Sequence, residues 1–311
     1  MPDALPPAKF RDPFVTAAGE RRARVAPRGL ETLWVNTGTL CNVTCAHCYI
    51  ESSPRNDRLA YLTADELRPF LDEIARDRLP TRTIGFTGGE PFMNRDLRTM
   101  LTEVLERGLA ALVLTNAMAP LRQARAWLPG FRRHGARLRI RVSLDHHTEA
   151  VHEAERGPGS WAPSIEGLRW LTEAGFAVEI AGRRFTTETE AELRAGYAAL
   201  FTSIGVTIEA TDPVALTIFP EMDATADIPE ITEACWGILN RSPDEMMCAS
   251  ARMIVKRKDA ARPTVLACTL LPYDPRFELG ATLAEAAVPV ALNHPHCARF
   301  CVLGGGACSR S

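Results

Sequence analysis

Between Thr32 and about Thr211 the 311-residue chain alternates short apolar runs with longer amphipathic ones, and this rhythm constrains the fold more than any other feature. Six runs read as strands: TLWVNT from Thr32, TIGFT from Thr83, ALVLT from Ala111, LRIRVSL from Leu138, AVEIAG from Ala177 and VTIEA from Val206. They are short, rich in β-branched residues and bounded by turn formers, as strands are. The segments between them repeat apolar residues at helical spacing. Thr63 and Glu66 predict a capping box ahead of one helix, and Asn94 and Gly108 bracket another as N-cap and C-terminal stop. Such alternation predicts an α/β fold on a parallel sheet, wound by right-handed crossovers into a barrel or an open sheet. After about Pro220 the rhythm fades while Pro, Gly and Cys become denser, which places a boundary there and divides the chain into 1–30, 31–220 and 221–311.

Composition excludes several classes. With 36 basic against 38 acidic residues, the formal charge of -2 gives no reason to expect nucleic acid or an anionic membrane as partner. The arginines of Arg21 to Arg28 read as a solvated surface stretch, because no aromatic residues interleave with them for base stacking. No apolar run reaches the roughly 18 residues of a membrane helix, and the start MPDALPPAKF lacks the blocks of a signal peptide, so a cytoplasmic location is expected. Nine cysteines in a reducing compartment point to metal binding or catalysis before disulfides.

Three of those cysteines, Cys41, Cys45 and Cys48, lie in TGTLCNVTCAHCYIESSP directly after the first strand, spaced CxxxCxxC. Three thiolates hold three corners of a 4Fe-4S cube and leave one iron open, whereas structural zinc closes all four of its positions. Zinc completed by His47 or a distant cysteine, or a group of buried thiols, is the alternative. The segment CNVTCAHCY resembles the radical S-adenosylmethionine (SAM) signature, and FTGGEPF at the end of the second strand resembles the GGE motif of the same superfamily. The resemblance implies a partial (β/α)6 TIM-like barrel with a smaller Cys-rich C-terminal domain. It also implies that the open iron is chelated by the amino and carboxylate groups of SAM. In that pattern His47, with Tyr49 as a neighbouring candidate, packs near the adenine. Gly88 and Gly89 permit close backbone approach, and Glu90 accepts hydrogen bonds from the ammonium of SAM.

A barrel gathers its chemistry where strands run into their following loops. The third, fourth and fifth strands end in LTNA, VSLDH and IAGRR, so Asn116, Ser143, Asp145 and Arg183 are expected on one rim. The resemblance implies that such residues hold the ribose hydroxyls and carboxylate of SAM; Arg184 competes with Arg183. Read alone, Asn116 is equally a turn former, Asp145 a helix cap and Arg183 a surface charge. His146 and His147 read as solvent-exposed loop residues, with substrate contact the alternative.

The last quarter carries Cys235, Cys248, Cys268, Cys297, Cys301 and Cys308. Its end, HCARFCVLGGGACS, resembles the auxiliary-cluster extensions called SPASM and twitch domains, which implies one auxiliary 4Fe-4S cluster drawn mostly from Cys248, Cys268, Cys297, Cys301 and Cys308, with Cys235 left open. A zinc knuckle is the alternative. The activity implied is reductive cleavage of SAM to a 5'-deoxyadenosyl radical that abstracts hydrogen from a substrate. The resemblance points first to a peptide substrate and next to a small molecule such as a sugar, cofactor or natural product. A non-catalytic iron-sulfur or zinc protein is the reading from another class. Expected partners are a reductant such as flavodoxin or ferredoxin and, because only about thirty residues precede the first strand, a separate peptide-carrier protein.

Overall fold

The computed structural model describes residues 9–221 and 227–306. A two-residue strand, β1 (Arg24–Val25), leads into β2 (Thr32–Asn36), after which the expected rhythm sets in. Helix α1 (Ala64–Arg76) precedes β3 (Thr83–Thr87), α2 (Leu97–Glu106) precedes β4 (Ala110–Thr115), and α3 (Ala119–Ala124) precedes β5 (Leu138–Ser143). Two helices, α4 (Glu149–Arg156) and α5 (Trp161–Glu173), separate β5 from β6 (Ala177–Arg184), and α6 (Glu190–Ile204) separates β6 from β7 (Leu216–Pro220). The remainder adds α7 (Cys235–Ile238), α8 (Met247–Ser250), β8 (Ala251–Val255), β9 (Thr264–Leu266), β10 (Glu278–Gly280) and β11 (Val290–Ala291), which pairs with β1.

Strands β2 to β7 lie side by side in sequence order, all parallel, within a nine-stranded sheet of order β10-β9-β8-β2-β3-β4-β5-β6-β7. The two edges, β10 and β7, do not pair, so the six-stranded unit is a partial barrel as expected. Every residue of β2 and β3 is buried, since helices cover one face and the inner side chains pack on the other. On the outer face Leu33, Val35, Ile84 and Phe86 pack among helix residues such as Leu67, Leu71, Met100 and Leu101. On the inner face Trp34 joins Leu112, Met253 and Leu266. Gly85 makes room for that indole: a Cβ there would stand 2.4 Å from the Trp34 ring.

Several expectations are corrected. VTIEA is not the sixth strand. Gly205 ends α6 in the left-handed region (φ 71°), the Val206 amide bonds back to Phe201 O, and Val206 and Ala210 bury their side chains from a loop. The ladder partner of β6 is LTIFP, in register Ile180↔Leu216, because only there does the chain come out of the turn at Asp212 extended beside β6. The capping box at Thr63 and Glu66 is present. Gly108 (φ 83°) ends its helix, but Asn94 does not cap it: its side chain donates to Thr37 O (3.0 Å) and Leu62 O (2.8 Å), and α2 starts after Asp96. Of the surface arginines Arg22 is buried, forming an ion pair of 2.5 Å with Glu230. The segment after Pro220 also carries a strand of the main sheet, β8, parallel to β2.

Candidate functional site

The loop after β2 is held down by backbone contacts. The Gly89 amide donates to Gly38 O (2.8 Å), the Glu90 amide to Leu40 O (3.2 Å) and the Cys41 amide to Ser53 O (3.1 Å). This approach requires glycine. A Cβ on Gly89 would fall 2.1 Å from Leu40 O, and Gly88 has φ +134° with Gly38 O 2.5 Å from its would-be Cβ. The result is a cavity of about 130 Å³ that Cys41, Cys45 and Cys48 share with Gly88, Gly89 and Ser143. Burial pushes the Cys41 thiol up to about 12, with the charges of Glu90 and the two neighbouring cysteines adding to it, and burial also raises Cys45. Thiolates so placed need a cationic centre among them to ionise.

Glu90 is 1% exposed and caps the turn Pro91–Met93. Its carboxylate accepts from Phe92 N (3.1 Å), Thr115 Oγ1 (2.9 Å) and Asn116 N (2.8 Å), and burial outweighs these donors to raise its pKa to about 7. It therefore fastens the end of β4 to the Gly-Gly turn from behind the cavity wall. Asn116 lines the cavity; its Nδ2 donates to Asn42 Oδ1 (2.8 Å), while its Oδ1 accepts from Met118 N (3.0 Å), so it is a turn former as well.

A second cavity of about 150 Å³ adjoins the first through Cys45, Cys48, Tyr49 and Ser143, and adds His47, Asp145, Arg183, Phe219 and Phe300. Arg183 faces it, whereas Arg184 is exposed. Asp145 is buried beneath Arg156, which donates from Nε (2.8 Å) and Nη2 (3.2 Å); burial works to raise its pKa, but Arg156 and then Arg183 outweigh it and hold the carboxyl below the usual range. Glu155 ties three parts together: its carbonyl accepts from Ala46 N (2.7 Å), and its carboxylate meets His47 Nδ1 (2.8 Å) and Arg183 Nη1 (2.7 Å). Sequence reasoning missed Glu155 and Arg156, because two charges in the last turn of an amphipathic helix look like ordinary solvated residues. His146 and His147 are not solvent-exposed: His146 is buried, His147 half-buried, and both turn to Glu188.

Four C-terminal cysteines come together. Cys248 from α8, Cys268 after β9, and Cys297 and Cys301 on the π-helical turn Cys297–Leu303 line a cavity of about 20 Å³ with Met246 and Phe277. Burial raises Cys248 to about 11; burial and then the charges of Cys268 and Cys248 raise Cys297 further. Cys235 lies apart, its Sγ accepting from Thr232 N (3.4 Å). Cys308 falls outside the described residues. Leu270 lines both this cavity and the larger one at the barrel mouth. Four thiols around one cavity are a donor set that the corners of a 4Fe-4S cluster or a structural zinc would take.

A sequence model of the radical SAM superfamily matches residues 35–197. The chain is 29% identical over 142 residues to the antilisterial bacteriocin subtilosin biosynthesis protein AlbA of Bacillus subtilis, covering 45% of this chain and 30% of that protein. It is 34% identical over 169 residues to the GTP 3',8-cyclase of Rhodococcus opacus, covering 53% of this chain and 45% of the cyclase. These matches span less than half of either relative's length. The fold is shared with Streptococcus suis SuiB, solved bound to SAM, at a TM-score of 0.59 and 13% identity over 81% of this chain and 63% of SuiB. SuiB has also been solved bound to its precursor peptide SuiA.

Proposed function

Because the chain belongs to the radical SAM superfamily, we propose that Cys41, Cys45 and Cys48 hold a 4Fe-4S cluster with one iron open to SAM, and that the chain uses it to modify a peptide. The observation that carries this reading is the shared cavity: one buried and two half-buried thiols line it together with two glycines whose missing side chains let the cysteine loop pack against them. When bound, the cluster supplies the electron that splits SAM into methionine and a 5'-deoxyadenosyl radical. The chain's own tasks are to hold and to shield. Ser143, on the wall between the two cavities, offers a hydroxyl to the ribose, and Arg183 offers a cation to the carboxylate of SAM. His47 and Tyr49 flank the space for the adenine, and Glu90, Asn116 and Asp145 fix the strand ends around it. Phe219, Pro220, Leu270 and Phe300 make the far wall apolar, which keeps water from a radical formed there.

Residues 31–220 form the catalytic core in this reading, and residues 221–311 carry an auxiliary 4Fe-4S cluster on Cys248, Cys268, Cys297 and Cys301, with Cys308 a further candidate. The relation to a bacteriocin-biosynthesis protein and the fold shared with SuiB support a peptide substrate; a separate carrier protein and a flavodoxin or ferredoxin reductant complete the proposal. A nucleotide-like small molecule is the second reading, favoured by the 34% identity to a GTP cyclase. The test is SAM turnover: anaerobically reconstituted chain with dithionite is expected to release 5'-deoxyadenosine and methionine, and Cys45→Ala to release none. Product from that variant at the wild-type rate would refute the assignment. Mass shifts in candidate precursor peptides, against consumption of GTP, separate the two substrates.

A further inference from the structure

Two loops meet beside the barrel mouth at a cluster that the cysteine chemistry does not use. His146 and His147 follow Asp145 at the end of β5, and Glu188 lies between β6 and α6. His146 Nε2 stands 2.7 Å from Glu188 Oε2, and His147 Nε2 stands 2.9 Å from Glu188 Oε1. The imidazole rings stack with centroids 4.2 Å apart, and the three side chains are 3%, 17% and 30% exposed. Among the described residues this is the one group of three His, Cys, Asp or Glu side chains whose ligand atoms all lie within 4.8 Å. We propose that His146, His147 and Glu188 bind one divalent transition-metal ion of the zinc class, at a site separate from both cysteine sets.

The donor set fits that ion. Two imidazole nitrogens and a carboxylate oxygen suit zinc and its first-row neighbours, and leave a fourth position for water. Ligand atoms of a tetrahedral zinc stand about 3.3 Å apart; the two contacts run to different carboxylate oxygens and the three donor atoms already lie within 4.8 Å of one another, so side-chain shifts of about 1.5 Å or less admit it. Charge points the same way. Among the described residues no Lys or Arg pairs with the Glu188 carboxylate, whose ion-pair partners are the two imidazoles. Outer partners are in place: His146 Nδ1 accepts from Thr148 N (3.1 Å), so Nε2 carries the ring proton toward Glu188; ligation through Nε2 moves that proton to Nδ1, where Thr148 Oγ1 (2.9 Å) accepts it, and Thr186 Oγ1 donates to Glu188 Oε2 (2.9 Å). Gly196 on α6 clears the space, since a Cβ there would stand 2.4 Å from the His147 ring. The ion would clamp the loop that carries Asp145 to the loop that follows Arg183, bracing two strand ends of the barrel rim.

The test loads the cluster-reconstituted chain with zinc sulfate, removes free metal by gel filtration, counts zinc and iron, and records the zinc K-edge. About one zinc per chain is expected, in a shell of nitrogen and oxygen at roughly 2.0–2.1 Å without sulfur. Glu188→Gln, close to isosteric, and His147→Ala are each expected to lower zinc at least tenfold while iron is unchanged. Zinc at background in the wild type, zinc retained in both variants, or a sulfur-containing shell would overturn the proposal. The wild-type edge decides whether or not either variant folds.

Discussion

The chain builds two cysteine sites by different physical means. At the barrel mouth, three thiols are presented by one short loop, pinned through backbone contacts that only glycine permits and ringed by the charges of Asp145, Glu155, Arg156 and Arg183. In the C-terminal region, four thiols come from three separate segments and meet in a small cavity walled by methionine, leucine and phenylalanine. The first cavity is about 130 Å³ and runs into a second of about 150 Å³, whereas the space among the four thiols is about 20 Å³. Room beside three thiols suits a cluster that takes an exogenous ligand, and four thiols with little space among them suit one that takes none.

The sharpest break of that contrast is by ligand removal. Cys45→Ala is expected to abolish 5'-deoxyadenosine release, by a factor of about a thousand or more, because the cofactor supplies the chemistry. Cys297→Ala is expected to lower iron from about eight to about four per chain and to leave SAM cleavage within roughly tenfold of wild type; loss of cleavage as large as in Cys45→Ala would erase the distinction. Next comes pH. Burial and then Arg156 depress His152, which is fully buried against Trp161 beside the Asp145–Arg156 pair, from 6.5 to about 4. The folded state then binds fewer protons than the unfolded one between those values, so stability holds above pH 6.5 and falls as pH drops toward 4, by on the order of 2–3 kcal/mol. His152→Phe is expected to flatten that fall in denaturant titrations at pH 5 and 7.5; an unchanged slope would remove His152 as its source. Gly89→Ala places a methyl against Leu40 O and is expected to cost about 1–3 kcal/mol and to loosen the first cluster, read as iron content after desalting. The smallest effect is that of Glu155→Gln, which weakens two charge-assisted contacts and is expected to raise the KM for SAM severalfold with iron unchanged.

What was legible in the sequence follows from range. Cys41, Cys45 and Cys48 were readable because thiolate chemistry and short spacing are local facts, and Gly88 and Gly89 because a paired glycine after a strand announces close approach. Five of the six parallel strands were readable from apolar runs and turn residues. The sixth was not, since Val206 and Ala210 imitate a strand while burying themselves from a loop, and only pairing with β6 selects Leu216–Pro220. Strand β8 was hidden for the same reason: its partner, β2, lies more than two hundred residues earlier. Glu155 and Arg156 carry no local mark, and His146 and His147 reach Glu188 across some forty residues. Arg22, read as solvated, finds Glu230 across the chain.

The central claim is one iron left open for SAM by a three-thiol loop, and the most direct measurement is the EPR spectrum of the one-electron-reduced chain carrying Cys297→Ala, with and without SAM. Direct chelation predicts that SAM shifts the g-values and that SAM enriched with 17O in its carboxylate broadens or splits the signal. A spectrum indifferent to SAM, or zinc in place of iron at Cys41, Cys45 and Cys48, would contradict it.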